Sequence, residues 1–68
     1  MKNFIFNWHE NIKFGKPVNR NTRIESIDAE NATKVFMKTF GNLKKNTINY
    51  IQEIDKNHNP VGEKIIPD

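Results

Sequence analysis

The stretch IDAENATKVFMKTFG, residues 27–41, decides the fold, because the hydrophobic period changes there from two to about 3.6 residues. Asp28 belongs to the residue types that cap helix N-termini, and Gly41 stands where a glycine commonly ends a helix. Apolar side chains recur between them at helical spacing, at Ala29, Ala32, Val35, Phe36 and Phe40. We therefore predict a helix over residues 29–40.

The segment before this helix alternates with the period of a β-strand. Within residues 2–14, one parity carries Phe4, Phe6, Trp8, Ile12 and Phe14. Period two with aromatic enrichment predicts a strand, either bent or broken near Glu10. Gly15 and Pro17 mark a turn, and residues 18–27 follow as a more polar strand, at an edge or half exposed.

The segment after the helix is ambiguous by periodicity alone. Residues 47–55 fit a strand, and a helix over 43–55 fits the same apolar spacing. Thr, Ile and Tyr favour the strand, and a turn cluster at residues 56–60 leads into a last strand over 61–66, which closes a hairpin. The sequence thus predicts a single small α+β domain, residues 1–68, in the order β-β-α-β-β, with one helix packed on one face of a small antiparallel sheet.

Size and composition exclude several protein classes. The chain has 68 residues, no cysteine, 35% hydrophobic residues and a net charge of +3. It is too short for a multi-domain enzyme or a cofactor-binding α/β fold, and it is no disulfide-stapled miniprotein. Its core must be small, so a second copy or a protein partner is an expected source of stability. No apolar run approaches the ~20 residues of a membrane span, and we expect a cytoplasmic protein without membrane contact.

Positive charge is segmental along the chain. Residues 1–24 carry +4 and residues 34–45 carry +4, whereas residues 25–33 carry −3 and residues 46–68 carry −2. The candidate residues for binding nucleic acid or a protein partner are Lys13, Lys16, Arg20, Arg23, Lys34, Lys38, Lys44 and Lys45. A solvated basic surface is the alternative interpretation. Asn, Lys and Ile make up 29 of the 68 residues, which is typical of an A/T-rich genome and accounts for part of the lysine content.

Chemistry-bearing residues are sparse. Ser26 is the only serine, and its position before the helix suits a local cap or turn. His58 with Asp55 and Glu63 matches no metal-ligand spacing, and the three glycines form no phosphate-binding loop. We predict no catalytic residue, no metal and no cofactor, and hence no enzyme.

The aromatic stripe Phe4, Phe6 and Trp8 has two interpretations. Such a stripe stacks bases in some single-strand binders, but a small domain needs these rings in its core. If they pack under the helix, the other face of the sheet shows Asn3, Asn7, His9, Lys13 and Arg23. That face could contact phosphate and sugar, although it lacks stacking rings.

Three segments resemble a pattern found in small orphan proteins of phages and mobile elements. Residues 27–36 form a strand that enters an Ala-x-x-Ala helix, and residues 50–55 and 59–62 form the hairpin that follows. The resemblance implies an accessory role and carries over no catalytic or binding residue.

Two hypotheses about function follow. The first is a non-enzymatic accessory protein of a phage or mobile element that binds a host or self protein partner, in the cytoplasm of a bacterial host. The motivation is the small core, the missing active site and the exposed strand edges. The second is a small basic nucleic-acid-binding protein that uses the Lys/Arg-rich strand pair and the helix end.

Overall fold

The computed structural model describes residues 1–10, 14–40 and 46–67 of the chain. Its elements follow one another as β1 (Lys2–Glu10), β2 (Val18–Ser26), α1 (Ala29–Phe40), β3 (Asn46–Ile54) and β4 (Pro60–Ile65). This succession confirms the predicted α+β class and the order β-β-α-β-β. The predicted helix end at Gly41 and Ile12, which has the parity of the aromatic stripe, lie outside the described residues.

The four strands form one antiparallel sheet in the order β2-β1-β3-β4. β1 lies between β2 and β3 and pairs with both, and β3 pairs with β4. Because β2 and β3 both run antiparallel to β1, they run parallel to each other, and α1 connects them across β1. β2 and β4 are the edge strands.

The aromatic stripe of β1 is the core, as the packed interpretation predicts. Phe4, Phe6 and Trp8 are each at most 3% exposed. Phe36 of α1 stacks on Phe6 with 4.9 Å between ring centroids and meets Trp8 edge-on at 5.5 Å. The Trp8 indole nitrogen Nε1 donates a hydrogen bond to Thr22 Oγ1 at 2.9 Å, so burial of this ring leaves its polar atom satisfied.

The helix begins where its sequence signals predict. The backbone N–H of Asn31 donates to Asp28 Oδ1 at 2.8 Å, which confirms Asp28 as the N-cap. Ala32 is fully buried, because its small side chain lets the helix approach the sheet closely. Val35 belongs to the apolar residues at helical spacing, but it lies at the outer side of α1, where 45% of the residue is exposed. Met37, two residues later and on the opposite side of the helix, packs against the core.

The first strand ends at Glu10, in agreement with the alternative of a break near that residue. β1 stops at Glu10, and Phe14 is 85% exposed. Phe14 has the same parity as the aromatic stripe but does not share its burial, because parity assigns a face only while the chain stays extended.

The segment over residues 46–54 is a strand, which confirms the favoured interpretation. Its pairing with β1 shifts register between Asn7 and Trp8, so that β3 carries an extra residue, Asn49. Through this bulge both Ile48 and Ile51 reach the core side. The two-residue spacing of Ile48 and Tyr50 predicts one common face for both, which is wrong, because Tyr50 lies opposite Asn7 on the other face.

Candidate interaction surface on the open face of the sheet

One face of the sheet is covered by α1, and the other carries no second layer among the described residues. We call this second face the open face. The strand registers assign to it Asn3, Ile5, Asn7, His9, Asn19, Asn21, Arg23, Glu25, Thr47 and Tyr50, and hydrogen bonding adds Asn49. Gln52 and Ile54 share this side of β3 but are buried.

A chain of hydrogen bonds crosses three strands of the open face. Asn7 Nδ2 donates to Asn21 Oδ1 at 2.8 Å. Asn49 Nδ2 donates to Asn7 Oδ1 at 2.9 Å, and Asn49 Oδ1 lies 2.8 Å from His9 Nδ1. We call these four side chains the amide ladder. Because Asn49 presents an oxygen to the imidazole, Nδ1 of His9 carries the proton and donates.

The bulge in β3 makes the amide ladder possible. Asn49 is the extra residue of β3, and bulges redirect side chains at just such positions. Without the bulge, strict alternation from Tyr50 on the open face would place Asn49 on the helix side of the sheet and Ile48 on the open face. The alternation of β1 predicts Asn7 and His9 on this face, whereas the roles of Asn21 and Asn49 depend on the registers with β1 and are not predicted from the sequence.

Tyr50 supplies an aromatic ring on the open face. The sequence analysis expected a face without stacking rings, and this expectation is wrong. Lys64 Nζ of β4 lies 4.3 Å from the centroid of the Tyr50 ring. A cation over the ring face is a stabilising contact, and it occupies the ring surface on which a base would stack.

The predicted basic residues do not form one surface within the described part of the chain. Arg23 lies on the open face, whereas Arg20 lies on the helix side of the same strand and bonds Glu10 Oε2 at 3.2 Å. The other described candidates are exposed: Lys34 and Lys38 lie on α1, and Lys16 lies in the β1–β2 connection. Lys34 Nζ lies 3.9 Å from Glu30 Oε1. The remaining candidates, Lys13, Lys44 and Lys45, lie outside the described residues.

The open face is nearly neutral. In the described parts of β1, β2 and β3, its charged side chains are Arg23 and Glu25, which offset each other. Lys64 adds one positive charge from β4. Amides, a hydroxyl-bearing ring and the half-buried Ile5 make up most of the remaining surface. Such a surface offers hydrogen bonds and modest apolar contact rather than a strong electrostatic field.

The other chemical candidates stay apart. Ser26 is buried at the end of β2, and His58 lies in the β3–β4 turn, far in sequence and element from His9. No group of three or more His, Asp or Glu side chains is placed to hold a metal ion among the described residues. Nor does any helix in this part of the chain have the length and apolar character to cross a bilayer.

Two carboxyl groups have a lowered pKa, and both belong to turns outside the open face. The pKa of Asp28 is lowered chiefly by the hydrogen bond from the Asn31 backbone N–H, and that of Asp55 chiefly by the bond from the Asn59 N–H.

Comparisons of the chain with protein-family models, with curated proteins and with solved structures give no match.

Proposed function

We propose that this chain is a non-enzymatic accessory protein that binds a partner protein through the open face of its sheet. The observation that carries the proposal is the amide ladder, which links β2, β1 and β3 through hydrogen bonds of 2.8–2.9 Å. Side chains that are already held in place lose little rotamer freedom when a partner binds. The side chains of the amide ladder therefore need little further ordering when a partner protein binds the open face.

The partner class follows from the chemistry of this face. Amide and tyrosine side chains with few charges supply adaptable hydrogen bonds and contact area, as in protein-binding surfaces such as antibody paratopes. Ile5 and Tyr50 are half-buried and provide the apolar part. A protein with a polar, weakly charged surface matches this composition.

Nucleic acid fits the described surface less well. Binding to a phosphate backbone needs several Lys and Arg side chains on one surface, since each neutralised phosphate releases counterions. Of the predicted cations that the structure describes, Arg23 alone lies on the open face, and Arg20 and Lys34 face acidic side chains elsewhere. We therefore prefer the protein partner. The phage or mobile-element setting, with a host protein in the bacterial cytoplasm as the partner, is part of this proposal and rests on the resemblance alone.

The test is a pull-down with a matched variant. The tagged chain is captured from its natural host after nuclease treatment, and retained proteins are quantified by mass spectrometry. Asn7→Ala removes the centre of the amide ladder. Asn57→Ala makes the same chemical change in the exposed β3–β4 turn and serves as the control.

We expect a stoichiometric partner with wild type and with Asn57→Ala, and about tenfold weaker binding with Asn7→Ala. Circular dichroism confirms that both variants are folded. No stoichiometric protein, or equal retention by the two variants, contradicts the proposal. Capture that disappears on nuclease treatment, with gel-shift affinity that falls steeply with salt, would support the nucleic-acid hypothesis instead.

A further inference from the structure

The edge strand β2 is regular and has no neighbour on its outer side among the described residues. All nine residues pair with β1 without a register shift, from Lys2↔Ser26 to Glu10↔Val18. It contains no glycine and no proline. Such an edge presents a row of unpaired backbone N–H and C=O groups, which is a template for a further strand.

The other edge strand is protected against pairing. β4 has six residues and contains Pro60, which lacks a backbone donor. Gly62 has a φ of 73°, and the register with β3 shifts at this point. Bulges and prolines are the devices by which edge strands avoid neighbours. The two edges therefore differ, and β2 is the one that is open to pairing.

The sequence of β2 is complementary to itself in charge. Arg23 and Glu25 are oppositely charged and lie at equal distances before and after Ile24. The same holds for Arg20 and for Asp28, which lies just beyond β2. When two such segments run antiparallel with Ile24 opposite Ile24, each Arg23 lies directly opposite Glu25 of the second copy. The pairing closes on itself by twofold symmetry, which is the usual symmetry of homodimers.

Arg23 and Glu25 are available for this contact. Both side chains are exposed on the open face, and neither makes an ion pair with another described residue. Their cross-strand neighbours on β1 are Ile5 and Asn3, which carry no charge. Within the described chain, these opposite charges thus face solvent at the sheet edge.

We propose that two copies of this chain associate through β2, antiparallel and in the register that places Ile24 opposite Ile24. The register forms two Arg23–Glu25 pairs, and it places Thr22 opposite Ser26. A slip of two residues would place Arg23 directly opposite Arg23, or Glu25 directly opposite Glu25, and like charges directly opposite repel. Directly opposite residues share a face, so both helices lie on one side of a continuous eight-stranded sheet and the two open faces join.

This contact is independent of partner binding by the open face, so either proposal can fail alone. Sedimentation velocity over a concentration series measures it directly. Arg23→Glu places Glu opposite Glu, and Glu25→Arg places Arg opposite Arg. The double variant Arg23→Glu/Glu25→Arg restores opposite charges in the same register. Lys56→Glu, in the β3–β4 turn away from β2, lowers the net charge by the same amount as Arg23→Glu and is the control for that variant.

We expect a dimer for wild type, for Lys56→Glu and for the double variant. Each single reversal should raise the dimer Kd by about tenfold or more, because two symmetry-related pairs become repulsive. Circular dichroism shows that the variants are folded. A wild-type chain that stays monomeric at about 1 mM overturns the proposal. So does a dimer that tolerates both single reversals, or a double variant that fails to recover.

Discussion

Two aspartates show how single side chains set the turns of this fold. Asp28 Oδ1 accepts the Asn31 N–H at 2.8 Å at the start of α1. Asp55 Oδ1 accepts the N–H groups of Asn57 and Asn59 at 2.8 and 2.9 Å in the β3–β4 turn. Residue type alone predicts the role of Asp28, since aspartate before an amphipathic helix is an N-cap signal. The role of Asp55 depends on the turn that the chain adopts after it.

These hydrogen bonds make stability depend on pH on the acid side. The pKa of Asp28 and of Asp55 in the folded chain lies below the ordinary value of 3.8. The stabilisation is therefore fully present well above pH 3.8 and is lost as the pH falls through 3.8 toward the folded pKa. We expect the variant Asp28→Ala/Asp55→Ala to lose less stability than wild type between pH 5 and pH 2. Urea unfolding over this range tests it, and equal losses would contradict it.

His58 holds a backbone conformation that suits glycine better. Its φ is 64°, in the left-handed region that is costly for side chains with a Cβ. We expect His58→Gly to raise the free energy of unfolding by about 0.5–1 kcal/mol, since relief of strain exceeds the added chain entropy. Lys56→Gly in the same turn is the control and should bring no gain, because Lys56 is not among the described residues with positive φ. Urea unfolding at pH 7 compares the two, and a His58→Gly variant less stable than wild type contradicts the assignment of strain.

At the scale of elements, the local sequence pattern predicts those features that depend only on residues close together in the chain. α1 covers Ala29–Phe40, the range that capping and period indicate, and the strand pair before it matches its alternation closely. The bulge at Asn49 could not be predicted from the sequence, because a residue of β3 is recognised as extra only once its register with β1 is known. The open face was therefore predicted at Asn7 and His9, while the ladder that joins them was not.

The basic candidates show a second limit of sequence analysis. Arg20 and Arg23 are close along the chain, but strand alternation places them on opposite faces of β2. Lys34 belongs to another layer of the molecule. Segmental charge sums ignore this separation, since they count charge along the chain and not over a surface.

Gln52 joins β3 to the irregular strand β4. Its Nε2 donates to the carbonyl oxygens of Val61 and Gly62 at 3.1 and 3.2 Å, and only 7% of the residue is exposed. Gln52→Glu keeps the shape but replaces the donor with an acceptor. We expect it to lower the free energy of unfolding by about 1–3 kcal/mol, because buried acceptors then face one another.

Hydrogen exchange locates this effect. Backbone amides of β4 should exchange faster in Gln52→Glu, whereas those of α1 should keep their relative protection. Glu53→Gln makes the reverse change at the adjacent position. It removes the Lys2 Nζ–Glu53 Oε1 contact of 3.8 Å between partly exposed side chains and should cost less than about 1 kcal/mol. Equal effects of the two variants would show that Gln52 does not hold β4.

At the scale of the whole molecule, one cluster carries the packing. The buried apolar side chains that form the core lie between α1 and the strands β1, β2 and β3. A domain of about 60 residues buries only about 60% of its unfolded surface, so its net stability falls at the low end of the usual range. This limit links the fold to association: a contact along β2 would add stability that the small core cannot supply.

Phe36 lies at the centre of this core, so its substitution shows whether the core determines the stability of the whole molecule. It is 1% exposed, and its ring contacts those of Phe6, Trp8 and Phe40 at centroid distances of 4.9, 5.5 and 5.1 Å. Phe→Ala in a core costs about 3–5 kcal/mol, which approaches the ~5 kcal/mol at the low end of total stability. We expect Phe36→Ala to be largely unfolded by near-ultraviolet circular dichroism.

The adjacent residue provides the control for this prediction. Val35 is 45% exposed on the outer side of α1, so Val35→Ala should change the free energy of unfolding by less than about 0.5 kcal/mol. The two substitutions lie one position apart on the same helix, one on its exposed side and the other on its buried side, where it also removes a larger side chain. A Phe36→Ala chain within about 1 kcal/mol of wild type would mean that stability is spread over the sheet and not concentrated at this contact.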